Sequence, residues 1–80
     1  MKKIDCTHYT SPVIEEHDEH GILKKQSINW DLLDEQMELL KKRNAVDFIN
    51  CQMTFTWKRL ELLVEFNDEG FYIIHEMRFL

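Results

Sequence analysis

Between residues 49 and 66 the chain alternates apolar and polar residues, and this rhythm limits what it can fold into. Ile49, Cys51, Met53, Phe55 and Trp57 are interleaved with Asn50, Gln52, Thr54, Thr56 and Lys58. Leu60, Leu62, Val64 and Phe66 then alternate with Glu61, Leu63 and Glu65. A period of two puts each apolar set on one side of an extended strand. With Lys58-Arg59 as the reversal, Trp57 faces Leu60, Phe55 faces Leu62 and Met53 faces Val64, and the two strands bury a common face. Lys-Arg lacks the Gly or Asn that tight two-residue loops favour. Asn67-Asp68-Glu69-Gly70 is a stronger turn signal and leads into a third strand over 71–80. A four-residue loop turns Phe71, Ile73, His75, Met77 and Phe79 inward, whereas a three-residue loop with a bulge at Gly70 reverses them. Under the first parity Phe48, Leu63, Tyr72, Ile74 and Leu80 point outward, among Gln52, Thr54, Glu61, Glu65, Glu76 and Arg78.

Ahead of these strands the period lengthens from 2 to about 3.6. Trp30, Leu33, Met37 and Leu40 form one stripe, widened by Leu32 and Leu39, so residues 30–43 read as an amphipathic helix. Asn29 or Ser27 can cap it. Asp31, Asp34, Glu35 and Glu38 lie within its first nine residues and Lys41-Lys42-Arg43 close it, complementing the dipole at both ends. Glu38 stands three and four residues before Lys41 and Lys42, a favourable spacing for a surface pair. Asn44 is a left-handed stop.

The N-terminal third carries weaker signals. Residues 3–9 alternate as a strand. Val13-Ile14-Glu15-Glu16 and Ile22-Leu23-Lys24-Lys25 read as a hairpin closed by His17-Asp18-Glu19-His20-Gly21, with Glu15 and Glu16 across from Lys24 and Lys25. The expected fold class is α+β over a single domain, residues 1–80. It comprises an antiparallel β-sheet, namely a three-stranded C-terminal meander plus an N-terminal β-hairpin and strand, packed on one amphipathic helix.

Composition narrows the function classes. Ten Lys and Arg against fifteen Asp and Glu give a net charge of −5, which disfavours direct binding to nucleic acid or an anionic membrane. Eighty residues leave no second domain to form a catalytic cleft with the first. No apolar run approaches the length of a membrane span. Behind Met1-Lys2-Lys3 there is no apolar leader, so a cytoplasmic location is expected, with Cys6 and Cys51 as reduced thiols.

Three constellations could carry chemistry. Cys6, His8, His17 and His20 offer zinc-type ligands within a short stretch, although their spacing matches no established zinc signature and solvated histidines in an acidic turn are the plainer reading. His75, among apolar neighbours, reads as a core histidine rather than a base. Glu15, Glu16, Asp18 and Glu19, with Asp31, Asp34, Glu35 and Glu38 on the helix, form either a solvated surface or an acidic patch. No phosphate loop, nucleophile–base pair or cofactor is implied, and an enzyme is not expected. The sequence therefore points to a small protein-binding regulator or inhibitor. Its expected contact residues are those eight carboxylates and the apolar Phe48, Tyr72 and Ile74, with a basic protein as partner or a second copy in a homodimer. Small regulatory proteins of bacteria and phages share this size and balance, an analogy only. The alternatives are an acidic mimic of nucleic acid that inhibits a DNA- or RNA-binding enzyme, and a small zinc domain built on Cys6, His8, His17 and His20.

Overall fold

A computed structural model describes residues 2–43 and 49–80. The elements are β1 (Lys2–Asp5), β2 (Val13–His17), β3 (Leu23–Ile28), α1 (Trp30–Arg43), β4 (Gln52–Trp57), β5 (Leu60–Phe66) and β6 (Tyr72–Phe79). They form an α+β fold with a four-stranded sheet ordered β1-β4-β5-β6 and a separate β2-β3 hairpin. The C-terminal antiparallel meander packs with the helix, as the sequence indicates.

The alternation of β4 and β5 translates directly into burial. Trp57 opposes Leu60, Phe55 opposes Leu62 and Met53 opposes Val64, and all six are inaccessible to solvent. Phe55 stacks on Trp57 with ring centroids 5.9 Å apart and meets Phe66 edge-on at 6.4 Å. The alternation fails at its start. Asn50 adopts φ 58° and its amide donates to the Phe66 carbonyl at 2.7 Å, so β4 begins at Gln52 and both Ile49 and Cys51 are exposed. At the β4–β5 reversal Arg59 takes φ 67°, a strained conformation for a side chain with a Cβ. Three segments hold it: the Ser11 hydroxyl donates to the Lys58 carbonyl at 2.6 Å, the Leu80 amide donates to the Arg59 carbonyl at 3.1 Å, and Arg59 Nε pairs with Glu15 at 3.3 Å.

β6 corrects the expected parity. The Asn67 amide donates to the Phe71 carbonyl at 2.9 Å and Gly70 to Asn67 at 3.0 Å, with Gly70 at φ 85°. Tyr72 therefore opposes Phe66 and Ile74 opposes Val64, on the core side, whereas Phe71 and Ile73 are exposed. The pairing then skips His75, since Leu63 opposes Glu76 and Leu62 opposes Met77. This bulge restores Met77 and Phe79 to the core-facing row while His75 stays exposed, hydrogen-bonded to Glu65 at 3.2 Å. One extra residue thus splits the strand into two halves of opposite parity. Tyr72 and Ile74, expected on the outer face, pack against the core instead.

α1 spans the expected residues. Asn29 caps it: its Oδ1 accepts from the Leu32 amide at 3.1 Å. Leu33, Met37 and Leu40 are buried, but Trp30 is 52 % exposed, because a side chain in the first turn leans off the N-terminal end. Leu39 is also exposed, so the buried stripe is narrower than the sequence suggests. Asn44 and Phe48 lie outside the described residues.

β1 pairs in parallel with β4, Lys2 opposite Met53 through Asp5 opposite Thr56, so the sheet is mixed. The strand ends earlier than its alternation suggests. Asp5 Oδ1 accepts from the Thr7 amide at 2.9 Å and the Thr7 hydroxyl at 2.7 Å, and the chain turns away. In the hairpin, Val13 opposes Ile28 and Glu16 opposes Lys25. Ile28 belongs to the core and Val13 packs on it, while Ile14, Ile22 and Leu23 are exposed. The Asn29 amide donates to the Pro12 carbonyl at 2.8 Å, fastening the hairpin base to the helix start. The molecule measures 46 × 20 × 19 Å. Among the described residues no helix is long and apolar enough to cross a membrane, and no polar or charged residue is buried.

Candidate functional site

The acidic side chains fall into two groups with different duties. On the hairpin, Glu15 is engaged on both oxygens: Gln26 donates at 3.2 Å and Arg59 pairs at 3.3 Å. It joins the hairpin to the β4–β5 turn rather than offering a charge to a partner. Asp18 is likewise occupied, its Oδ1 accepting from the amides of His20 at 2.8 Å and Ile22 at 2.9 Å to close the tip. Glu16 and Glu19 remain exposed, Glu16 opposite Lys25 and Glu19 3.6 Å from His20. Lys24, expected across from Glu15 or Glu16, is skipped by an irregularity in the register.

On α1, Asp31, Asp34, Glu35 and Glu38 are all exposed. At about 100° per residue they fall within an arc of roughly 100°, centred about 140° round the helix from Leu33, Met37 and Leu40. Asp34 accepts a hydrogen bond from the Tyr72 hydroxyl. Burial, that bond and the Asp34 charge push the Tyr72 phenol well above its ordinary range. Glu38 pairs with Lys41 at 3.5 Å, and Lys41 also donates to the Gly70 carbonyl at 3.1 Å, linking the acidic helix to the β5–β6 turn. Asp31 and Glu35 carry no ion pair among the described residues.

The outer sheet face is mostly polar. Leu63 lies beside Thr54, Glu61, Glu76 and Arg78 in a shallow, open depression. Arg78 donates to Glu61 at 3.0 Å, and Gln52 donates to Glu65 at 3.5 Å. Tyr72 and Ile74, expected to supply apolar contacts there, turn inward, and among the described residues Phe71, Ile73 and Leu80 are exposed instead.

The cysteine and histidines are not gathered. Cys6 is buried in the core, where burial first and the Asp5 charge second push its thiol up to about 12, whereas His8, His17 and His20 are exposed. Among the described residues no group of three or more His, Cys, Asp or Glu side chains is placed to hold a metal ion. A thiol in that setting resists forming the thiolate a metal takes. A strand over 3–9 would put Cys6 and His8 on one face, but β1 ends at Asp5.

The sequence reading missed Arg59 and Ser11 as fastening points. The signal was present: a tight reversal without Gly or Asn calls for support from elsewhere in the chain. No family model, curated protein or solved structure matches the chain.

Proposed function

We propose that the chain is a non-enzymatic protein-binding module, a regulator or inhibitor that offers the acidic face of α1 to a basic surface on another protein. The observation that supports this reading is the single arc of Asp31, Asp34, Glu35 and Glu38, exposed along one face of a helix whose opposite face is buried. Such a face raises the rate of encounter with a basic partner and fixes its orientation. Glu16 and Glu19 extend the negative surface on the hairpin. Glu15 and Asp18 are assigned to holding the fold, and Tyr72 to positioning Asp34.

The test compares wild type with Asp31→Lys/Glu35→Lys, which reverses two charges that hold no ion pair within the chain. Circular dichroism should be unchanged. Proteins captured from native lysate by wild type should be basic, should dissociate as salt is raised past the screening range, and should be lost with the variant. Equal capture by both proteins, or binding indifferent to salt, refutes the reading. The acidic-mimic reading uses the same face and makes one further demand: duplex DNA or RNA must displace the captured protein.

A further inference from the structure

The four-stranded sheet ends in two unlike edges. β1 is four residues long and carries Lys2, Lys3 and Asp5, the short, charged kind of edge that resists strand addition. β6 is eight residues long. Along it and at its flanks Phe71 is 66 %, Ile73 46 %, Met77 47 % and Leu80 52 % exposed. The Leu80 amide donates inward to Arg59. Antiparallel alternation therefore turns the main-chain groups of Arg78 and Glu76 inward too, and those of Met77 and Phe79 outward.

We propose that this edge binds a second copy of the same chain, β6 against β6 in antiparallel sense about a two-fold axis at Met77, joining two four-stranded sheets into one of eight. Outward groups must meet outward groups, which restricts the register. Setting Met77 opposite Phe79 brings Arg78 against Arg78, a like-charge pair. A two-fold at Phe79 sets Arg78 opposite Leu80, which gives the guanidinium no opposite charge. Setting Met77 opposite Met77 places Glu76 across from Arg78 of the second copy, twice, in the closely spaced pairs that carry no main-chain bond. Glu76 is exposed and holds no ion pair among the described residues. Arg78 gives Nη2 to Glu61 and retains further N–H donors for Glu76. This inference is independent of the acidic helix face.

The experiment is sedimentation velocity on the full chain from about 1 µM to about 500 µM, a range that resolves a weak dimer. Wild type should pass from monomer to dimer. Glu76→Arg alone and Arg78→Glu alone should each weaken the dimer by about tenfold or more, and Glu76→Arg/Arg78→Glu should restore it. Met77→Pro removes an outward N–H without touching the β5 ladder and should give a folded monomer by circular dichroism. A wild type that stays monomeric overturns the proposal. So does a dimer indifferent to Met77→Pro, and so does a folded double variant that fails to regain the dimer.

Discussion

Alkaline pH should loosen this protein through one thiol. Cys6 is inaccessible to solvent within the core, and burial, reinforced by the Asp5 charge, pushes its pKa from 9.0 up to about 12, against a lowering hydrogen bond from the Thr56 backbone. Between those values the unfolded chain gives up a proton that the native chain keeps. Stability from this group is therefore whole below pH 9 and is lost as pH rises toward 12. The loss is about 1 kcal/mol between pH 7 and 10, and on the order of 4 kcal/mol if followed to pH 12. Stopping at pH 10 also avoids the window above Tyr72's ordinary range, where its raised phenol contributes a loss of the same sign. The assay is urea unfolding of wild type and Cys6→Ala at pH 7, 8, 9 and 10, which cancels every other titrating group. The advantage of wild type over Cys6→Ala should shrink by about 1 kcal/mol across that range. A disulfide-exchange reagent should label one thiol per chain, Cys51, in native buffer, and both in urea. A stability difference that is constant or grows with pH refutes the buried thiol, as does rapid native labelling of two.

Two further substitutions test the packing. The Trp57 indole N–H is buried without a partner among the described residues, and such an orphan costs about 1–3 kcal/mol. Trp57→Phe should therefore fall within about 1 kcal/mol of wild type, while Trp57→Ala costs about 3–5 kcal/mol; a penalty for Trp57→Phe above about 3 kcal/mol in urea unfolding would mean that the N–H is satisfied. Gly70 sits at φ +85°, and a Cβ there would meet Lys41 Nζ at 2.9 Å. Gly70→Ala should cost about 1–2 kcal/mol by the same assay, and an unchanged midpoint would refute the turn geometry.

What the sequence made legible was local. The helix over 30–43 and the pairing of Met53, Phe55 and Trp57 with Val64, Leu62 and Leu60 follow from patterns that each segment carries within itself. What escaped depended on a second segment or on a single irregular residue. His75 gives no sign of being a bulge, yet it decides which half of β6 faces the core. Asn50 ends the alternation three residues before the first buried position, Met53, because its backbone answers to Phe66. The parallel pairing of β1 with β4 rests on a crossover through the hairpin and α1 that no local rhythm specifies. The acidic residues divide for the same reason: the four on α1 are exposed by helical period alone, whereas Glu15 is claimed by Arg59, some forty positions away in the chain.

The reversal at Lys58-Arg59 has a consequence for the order of assembly. Ser11, Glu15 and Leu80 reach it from segments far away in the sequence, so each of those contacts closes a longer loop than the bend itself. Loop-closure entropy favours the short-range β4–β5 hairpin as the first strand pair to form, since its contacts close the smallest loop. On that ordering, a substitution that weakens the bend should slow refolding, as measured by stopped-flow fluorescence.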